Sequence, residues 1–456
     1  MNEAEHTFDV IVIGMGPGGE HVAGTLAERG LRVLGVDHGL VGGECPYWGC
    51  IPSKMVIRAA DALQEARRVP ALAGGLGELR PDWSIVAKRI RDEATDDWDD
   101  RAAVERFTGK GGVFVRGTGR ITGPGHVEVD GTTYAARRGI VVNTGTRPAV
   151  PPIDGLGDVD HWTNHDLLEA TTLPETLIVL GGGAIGCELG QAVARFGVEV
   201  TIVEAGPRLL GPEEPEAGAT LQEVLEAEGL TVRVGVGAER VVAEPGGVAV
   251  TLAGGEVVRA ERLLVATGRS ADLAAAGLGS VGVDVEARTV DVDERCRVAD
   301  GVWAIGDITG KGAFTHVSMY QAGVVIRDIL GDEGPAADYS ALPHVTFTDP
   351  EVGSVGLTEA QARERLGRVT VGTTPLGETA RGWIHQEGNE GFIKLVADAE
   401  RGVLVGATAM GPYAGEVLGA LAVAVHAQVP LHTLRSMIYA YPTFHRGIED
   451  ALGRLA

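Results

Sequence analysis

Two stretches of this chain share one plan, and that plan restricts the fold more than any other feature. The first runs from "FDVIVI" at 8–13 through "GMGPGG" at 14–19 and "EHVAGTLAERG" to "LRVLGVD", which ends on Asp37. The second is "TLIVLGGGAIGCELGQAVARFGVEVTIVE" at 176–204, with Gly181, Gly183 and Gly186 in the turn and Glu204 at the end. Each reads as a buried parallel strand, a Gly-x-Gly-x-x-Gly turn, a helix and a second strand closed by an acid. The glycines let the backbone approach a pyrophosphate that rests on the helix N-terminus. The acid accepts hydrogen bonds from a ribose. A lone glycine motif is weak evidence, but one with its strand, its helix and its acid about 20 residues on is strong. Two complete units predict two dinucleotides, the alternative being one dinucleotide and an evolutionary relic.

Two shorter runs also match each other. "IVVNTGTRP" at 140–148 and "LLVATGRSADL" at 263–273 are apolar strands that end in Thr-Gly and a basic residue. They read as returns of the chain from one nucleotide domain to the next, and "PAVPPIDG" at 148–155 as a linker. "VWAIGDITG" at 302–310 predicts a buried strand with Asp307 at its C-terminal end, a good position for binding ligand hydroxyls. From about 341 the pattern becomes antiparallel, with "VTFTDPEVGSVG", "GFIKLVAD" and "GVLVGATAMG" as strands and "AGEVLGALAVAVHAQ" as a helix.

The chain has four cysteines in 456 residues, and two of them, Cys45 and Cys50, stand close together in "GGECPYWGCIPSK". The acidic start Met-Asn-Glu-Ala-Glu-His does not resemble a signal peptide, and the longest apolar run near the end is short for a membrane span. These features predict a cytoplasmic protein, where a close cysteine pair is catalytic or metal-binding rather than structural. The Cys45–Cys50 spacing is wider than that of zinc knuckles, so no metal site is expected and a redox pair is the better reading. A net charge of −24 disfavours nucleic acid and anionic membrane as partners. Cys50 stands at the start of a predicted helix, where the backbone dipole stabilises a thiolate, and Pro52 suits a first helical turn.

Taken in order, "GMGPGG", "GGECPYWGCIPSK", "NTGTRP", "GGGAIGCE", "ATGRS", "AIGD" and "TDPEVGSVGLTE" resemble the flavin-dependent pyridine nucleotide–disulfide oxidoreductases. That group contains dihydrolipoamide dehydrogenase, glutathione reductase and mercuric reductase, and the resemblance covers about residues 8–453. It implies an α/β fold with two Rossmann-like dinucleotide-binding domains, for FAD and NAD, and a C-terminal α+β dimerisation domain. The expected division is 1–150 and 271–340 for the FAD and central parts, 151–270 for NAD and 341–456 for the interface of a homodimer. It implies FAD on Gly14, Gly16, Gly19, Asp37, Gly43, Lys54, Gly119, Gly145, Asp307, Thr315 and His316. It implies NAD on Gly181, Gly183, Gly186, Glu188, Glu204 and Gly268. Cys45–Cys50 would be the redox disulfide, with Cys50 nearer the flavin and Cys45 attacking substrate. Lys54 and Glu188 would form an ion pair beside the flavin ring. Glu204 favours NADH, because it accepts from a free ribose hydroxyl and repels a 2′-phosphate, although Arg208 could soften that repulsion.

The chain departs from the family near its end. Where the disulfide reductases carry His-Pro-Thr and a Glu five residues after the His, this chain reads "IYAYPTFHRGIEDAL", with Tyr441 and Arg446 in those places. A tyrosine of ordinary pKa near 10 is a poor base at neutral pH. His445, on the same face as Tyr441 if one helix carries both, is a candidate substitute with Glu449 behind it. The C-terminal cysteine pair of the mercuric reductases is absent. The main expectation is an enzyme passing hydride from NADH to flavin and on to the disulfide, then to a thiol, disulfide or other small acceptor. The alternatives are a quinone, dye or metal-ion reductase working from the flavin, and a flavin-binding redox sensor or assembly component.

Overall fold

A computed structural model describes residues 6–75 and 77–456. The acidic opening residues 1–5 lie outside the described residues. The chain divides into two compact units. The first takes the residues up to Ser53 together with Lys88–Ala149 and Arg269–Asp338. The second takes Lys54–Ala87, Val150–Gly268 and Tyr339–Ala456.

The first unit is built on an eight-stranded sheet. Strands Val302–Ala304, Thr132–Val142, Thr7–Ile13, Val33–Asp37 and Val113–Arg116 lie side by side and parallel, and Arg297–Ala299 adds an antiparallel edge. A meander of Gly119–Gly123 and His126–Val129 folds onto Thr132–Val142. Val10–Ile13 are apolar without a break because both faces of the strand are covered there, while Asp9 near its start stays partly exposed and accepts from Arg32 N at 2.8 Å. Val10 and Val12 pack with the helices Pro17–Glu28 and Thr315–Leu330 on one side. Ile11 and Ile13 pack with Ile121, Val127 and Leu278 on the other. Each such aliphatic side chain contributes about 1.5–3 kcal/mol when buried, which is why a single polar substitution on this strand is costly.

The second unit repeats the theme on a smaller scale. Strands Thr231–Val234, Glu199–Glu204, Thr176–Leu180 and Arg262–Val265 form a parallel sheet, with helix Ala184–Arg195 following the second glycine turn. A three-stranded antiparallel sheet, Ala238–Glu244, Gly247–Leu252 and Val257–Ala260, packs into the same core. The C-terminal part is a five-stranded antiparallel sheet in the order Pro343–Thr346, Glu351–Gly356, Val403–Gly411, Phe392–Asp398, Val369–Pro375. Helix Ala414–His426 buries Val417, Leu418 and Leu421 against it. A buried cation ties the acidic turn before helix Pro215–Ala227 to this sheet. Lys394, 3% exposed, has its Nζ 3.0 Å from Glu214, 2.7 Å from Glu216 and 2.9 Å from Glu359. Among the described residues no helix is long and apolar enough to cross a membrane.

Candidate functional site

The two glycine turns are built alike down to single atoms. Gly14 and Gly181 take φ of 92° and 109°. A Cβ on Gly14 would lie 2.3 Å from the Asn143 carbonyl oxygen, and one on Gly181 would lie 2.4 Å from that of Ala266. No L side chain fits there. Gly16 and Gly183 cap their 12-residue helices in extended conformation with no side-chain cap, which leaves the helix starts to the backbone N–H groups. A Cβ on Gly183 would meet nothing within 4 Å, so this turn is open on its outer side. Gly19 and Gly186 let each helix approach its own turn, since a Cβ on either would come within 2.0 Å of a turn carbonyl. Both arrangements suit a dinucleotide pyrophosphate.

The two acids complete the likeness. Asp37 accepts from Met15 N at 2.6 Å and from Gly39 N at 2.8 Å. Glu204 accepts from Gly182 N and Gly206 N, both at 2.6 Å. Arg208 does not turn toward Glu204's carboxylate: its Nη2 donates to the carbonyls of Gly211 at 2.6 Å and Glu213 at 3.2 Å.

Cys45 lies in the short helix Glu44–Tyr47, and Cys50 opens the helix Cys50–Leu72. The cysteine segment docks on the first glycine turn through Gly42 N, which donates to Met15 O at 2.7 Å, and a Cβ on Gly43 would lie 2.9 Å from the Gly16 Cα. Neither cysteine is disulfide-bonded here, and Cys45 is half-buried and Cys50 exposed. Thr315, the first residue of its helix, brings its Oγ1 to 3.3 Å from Cys50 Sγ. The Cys45 thiol is pushed far above its ordinary value, first by its hydrogen bond with Cys50 and then by burial, while Thr315 pulls the other way. His316 stacks on Phe314 with ring centroids 5.2 Å apart.

Asp307 follows strand Val302–Ala304 and is reached by Thr146, whose Oγ1 donates to Asp307 Oδ2 at 2.8 Å. Burial pushes the Asp307 carboxyl up, against the pull of Thr146 and Arg269. Gly145 and Gly268 both take positive φ with open space on the Cβ side, whereas a Cβ on Gly119 would meet Ile13 and Val36 in the core.

Lys54 and Glu188 are brought together across 134 residues of sequence. Lys54 Nζ donates to Glu188 Oε2 at 2.7 Å and lies 4.7 Å from the centre of the Phe347 ring. Glu188, 6% exposed, uses its other oxygen to accept from Phe347 N at 2.8 Å. The Glu188 carboxylate is therefore oriented from both sides.

The C-terminal pair is not arranged as one helical face. Tyr441 precedes Pro442 outside any helix, a short 3-10 turn covers Phe444–Arg446, and the final helix runs Gly447–Gly453. Pro442 has no N–H to continue an upstream helix. Tyr441 is 68% exposed with the Arg446 guanidinium 5.2 Å over its ring. His445 instead packs on Tyr439, with its Nε2 buried and without a partner. Glu449 pairs with Arg446 at 3.1 Å, not with His445.

Four contributors escaped the motif reading: Glu44, Thr146, Phe347 and the contact of Thr315 with Cys50. Arg269 was visible only as the basic residue closing a repeated Thr-Gly run. It pairs antiparallel with Pro148, and Ser270 pairs with Arg147, so the two returns meet as a two-stranded ladder.

The pyridine nucleotide-disulphide oxidoreductase family matches residues 8–322, and its dimerisation domain matches residues 342–452. The dihydrolipoyl dehydrogenase of Thermus scotoductus is 35% identical over 98% of this chain and 96% of its own length. The mercuric reductase of Lysinibacillus sphaericus is 31% identical over 98% of this chain and 82% of its own. Among solved structures, the HOCl-induced flavoprotein disulfide reductase RclA of Escherichia coli superposes with a TM-score of 0.85 at 26% identity, covering 98% of this chain and 99% of that one. Its Cu(II) complex gives 0.86 at 26% identity, covering 99% of both chains. The chain belongs to the pyridine nucleotide–disulphide oxidoreductase family and is an FAD-dependent, nicotinamide nucleotide-linked disulfide oxidoreductase that carries the family's dimerisation domain.

Proposed function

We propose that the enzyme oxidises NADH and delivers the electron pair through Cys45–Cys50 to an acceptor that needs little base catalysis. FAD, when bound, supplies the chemistry that takes hydride from NADH and hands the pair to the disulfide. With a disulfide acceptor the balance is NADH, H⁺ and RSSR giving NAD⁺ and two RSH. The observation that carries this reading is the side-by-side placement of the two thiols, one of them at the start of a 23-residue helix with a hydroxyl at 3.3 Å. Cys50 is the thiol held toward the charged form by the helix start, and Cys45 is the one that stays protonated until it attacks substrate. Lys54, oriented by Glu188, supplies positive charge for the reduced cofactor.

Gly14, Gly16, Gly19, Asp37 and Asp307 hold FAD, and Gly181, Gly183, Gly186 and Glu204 hold NADH. NADH is the preferred donor because Glu204 is fixed by two backbone N–H groups and Arg208 is engaged elsewhere. We assign the FAD role to 1–150 and 271–340, the NAD role to 151–270, and the interface of a cytoplasmic homodimer to 341–456. Dithiol oxidation is disfavoured, because Tyr441, with the Arg446 guanidinium over its ring, stands where the family carries its histidine. A second reading, metal-ion reduction working from the flavin, draws on the mercuric reductase relatives and on the Cu(II) complex of the structural neighbour.

The test is anaerobic titration of the holoenzyme with NADH. A long-wavelength charge-transfer band at two-electron reduction supports a live pair, and bleaching of the flavin with no such band sinks the proposal. Turnover of the reduced enzyme with a small disulfide, with Cu(II) and with lipoamide then separates the two acceptor classes.

A further inference from the structure

Next to the cysteines runs a chain of polar contacts that ends on Asp307 and whose other members have no part in the proposed reaction. Glu44, the residue before Cys45, places Oε2 3.5 Å from Nη2 of Arg269. Arg269 Nε donates to Thr146 Oγ1 at 2.8 Å, and its Nη2 donates to the Thr146 carbonyl at 2.6 Å. Thr146 Oγ1 donates onward to Asp307 Oδ2 at 2.8 Å. The direction of the chain is fixed by chemistry. A guanidinium only donates, so the hydroxyl oxygen accepts from it and turns its single proton to Asp307. Arg269 is held for this purpose by the two-residue ladder it forms with Pro148, and its side chain is 17% exposed.

We propose that Arg269 is a positioning residue that aims and polarises Thr146 at Asp307, and that Glu44 opposes it from the cysteine turn, so that the residue beside Cys45 tunes how firmly the chain retains FAD. The proposal rests on the reading of Asp307 as an FAD contact. The charged side chains that bear on Asp307 are Arg269, from the ladder strand, and Glu44, from the cysteine turn; Thr146 supplies the neutral contact. Burial pushes the Asp307 carboxyl up, Thr146 and Arg269 pull it down, and Glu44 pushes it up again. An ionised Asp307 accepts from a ribityl hydroxyl, and a protonated one gives up an acceptor site to its own proton and the negative charge that strengthens the contact. Acid should therefore release FAD, and the two flanking charges should move the midpoint of release in opposite directions.

The experiment follows fluorescence of released FAD from the holoenzyme between about pH 8 and about pH 4, with far-ultraviolet circular dichroism in parallel to separate release from unfolding. Arg269→Gln should raise the release midpoint by roughly one pH unit, and Glu44→Gln should lower it by a smaller step. Shifts of the same sign, or no shift in either variant, overturn the proposal. Asp307→Asn separates the two levels of the argument. If it abolishes the acid limb while the flanking variants do not move it, the coupling is wrong and the FAD contact stands. If it leaves the wild-type profile intact, the FAD contact fails and the coupling with it. Should Arg269→Gln fail to fold, Glu44→Gln alone decides: a midpoint that stays put or rises overturns the proposal. Arg269→Lys, which keeps the charge but not the paired contacts, should fall between Arg269→Gln and the wild type.

Discussion

The Glu188 carboxylate is shared between Lys54 Nζ at 2.7 Å and the Phe347 backbone N–H at 2.8 Å, so neither of its oxygens is free to rotate out of place. Charge-assisted hydrogen bonds of this kind contribute about 1.5–3 kcal/mol each. Glu188→Gln keeps the shape and one acceptor but leaves Lys54 without its countercharge. NADH-driven flavin reduction, followed by stopped-flow absorbance, should slow by about ten- to a hundredfold. An unchanged rate would make the pair a packing contact.

The thiols should differ in ionisation. Cys45 is raised by its contact with Cys50 and by burial. In the reduced protein, Cys45→Ser should retain a thiolate absorbance in the ultraviolet at neutral pH, because the helix start favours the charged form of Cys50. Cys50→Ser should show that absorbance only at clearly alkaline pH. The reverse order would exchange the two roles.

Restoring dithiol chemistry should take two changes. Tyr441→His supplies a base but leaves Arg446, which already pairs with Glu449, where an orienting carboxylate is wanted. The single variant should gain little dihydrolipoamide oxidation with NAD⁺. Tyr441→His with Arg446→Glu should gain at least about tenfold, the lower part of what a positioned acid–base group provides. Equal rates for the single and double variants would show that orientation is not the limiting element.

Asp61 offers a pH test. Its carboxyl is pushed up to about 6, by burial first, although Arg195 Nη1 lies 2.6 Å away and pulls it down. Arg195 also faces Glu228 and Asp349, so the cluster is rich in acid. A carboxyl raised above its unfolded value supports the fold on the acid side and loses that support as pH rises through the folded pKa. The Tm of Asp61→Asn relative to the wild type should therefore improve from about pH 5 to about pH 8. A variant that loses ground across that range would show that the Arg195 ion pair outweighs burial.

Lys394 is the countercharge for a buried acid. Glu214 is 2% exposed, and Lys394→Met leaves it uncompensated. Breaking a buried pair in this way costs about 3–5 kcal/mol. Guanidinium unfolding should show a lower midpoint with an unchanged slope. Glu214→Gln in the same background should recover part of the loss.

What the sequence made legible follows from which contacts are local. Gly14 and Gly181 stand where a side chain would strike a carbonyl oxygen, so their chemistry is written in the residue type itself. The strand at 7–13 declared its burial through Val10–Ile13, which are apolar on both faces. The Thr315–Cys50 contact spans 265 residues, and Thr146–Asp307 spans 161, and neither has a periodicity or spacing to betray it. The expectation that Tyr441 and His445 share a helical face failed for a local reason. Pro442 stands between them, and the final helix begins only at Gly447.

Glu204 carries a consequence for any attempt to change the coenzyme. Its two oxygens are already occupied by Gly182 N and Gly206 N, so the negative charge is anchored by the backbone before a nucleotide arrives. Removing the carboxylate alone would release the turn as well as the charge, leaving a loosened loop rather than a seat for a 2′-phosphate. On the proposed reading of Glu204 as the NADH contact, selectivity belongs to the architecture of residues 182–206 as a whole. Exchanging it would mean redesigning a turn, with the side chain as only its most visible part.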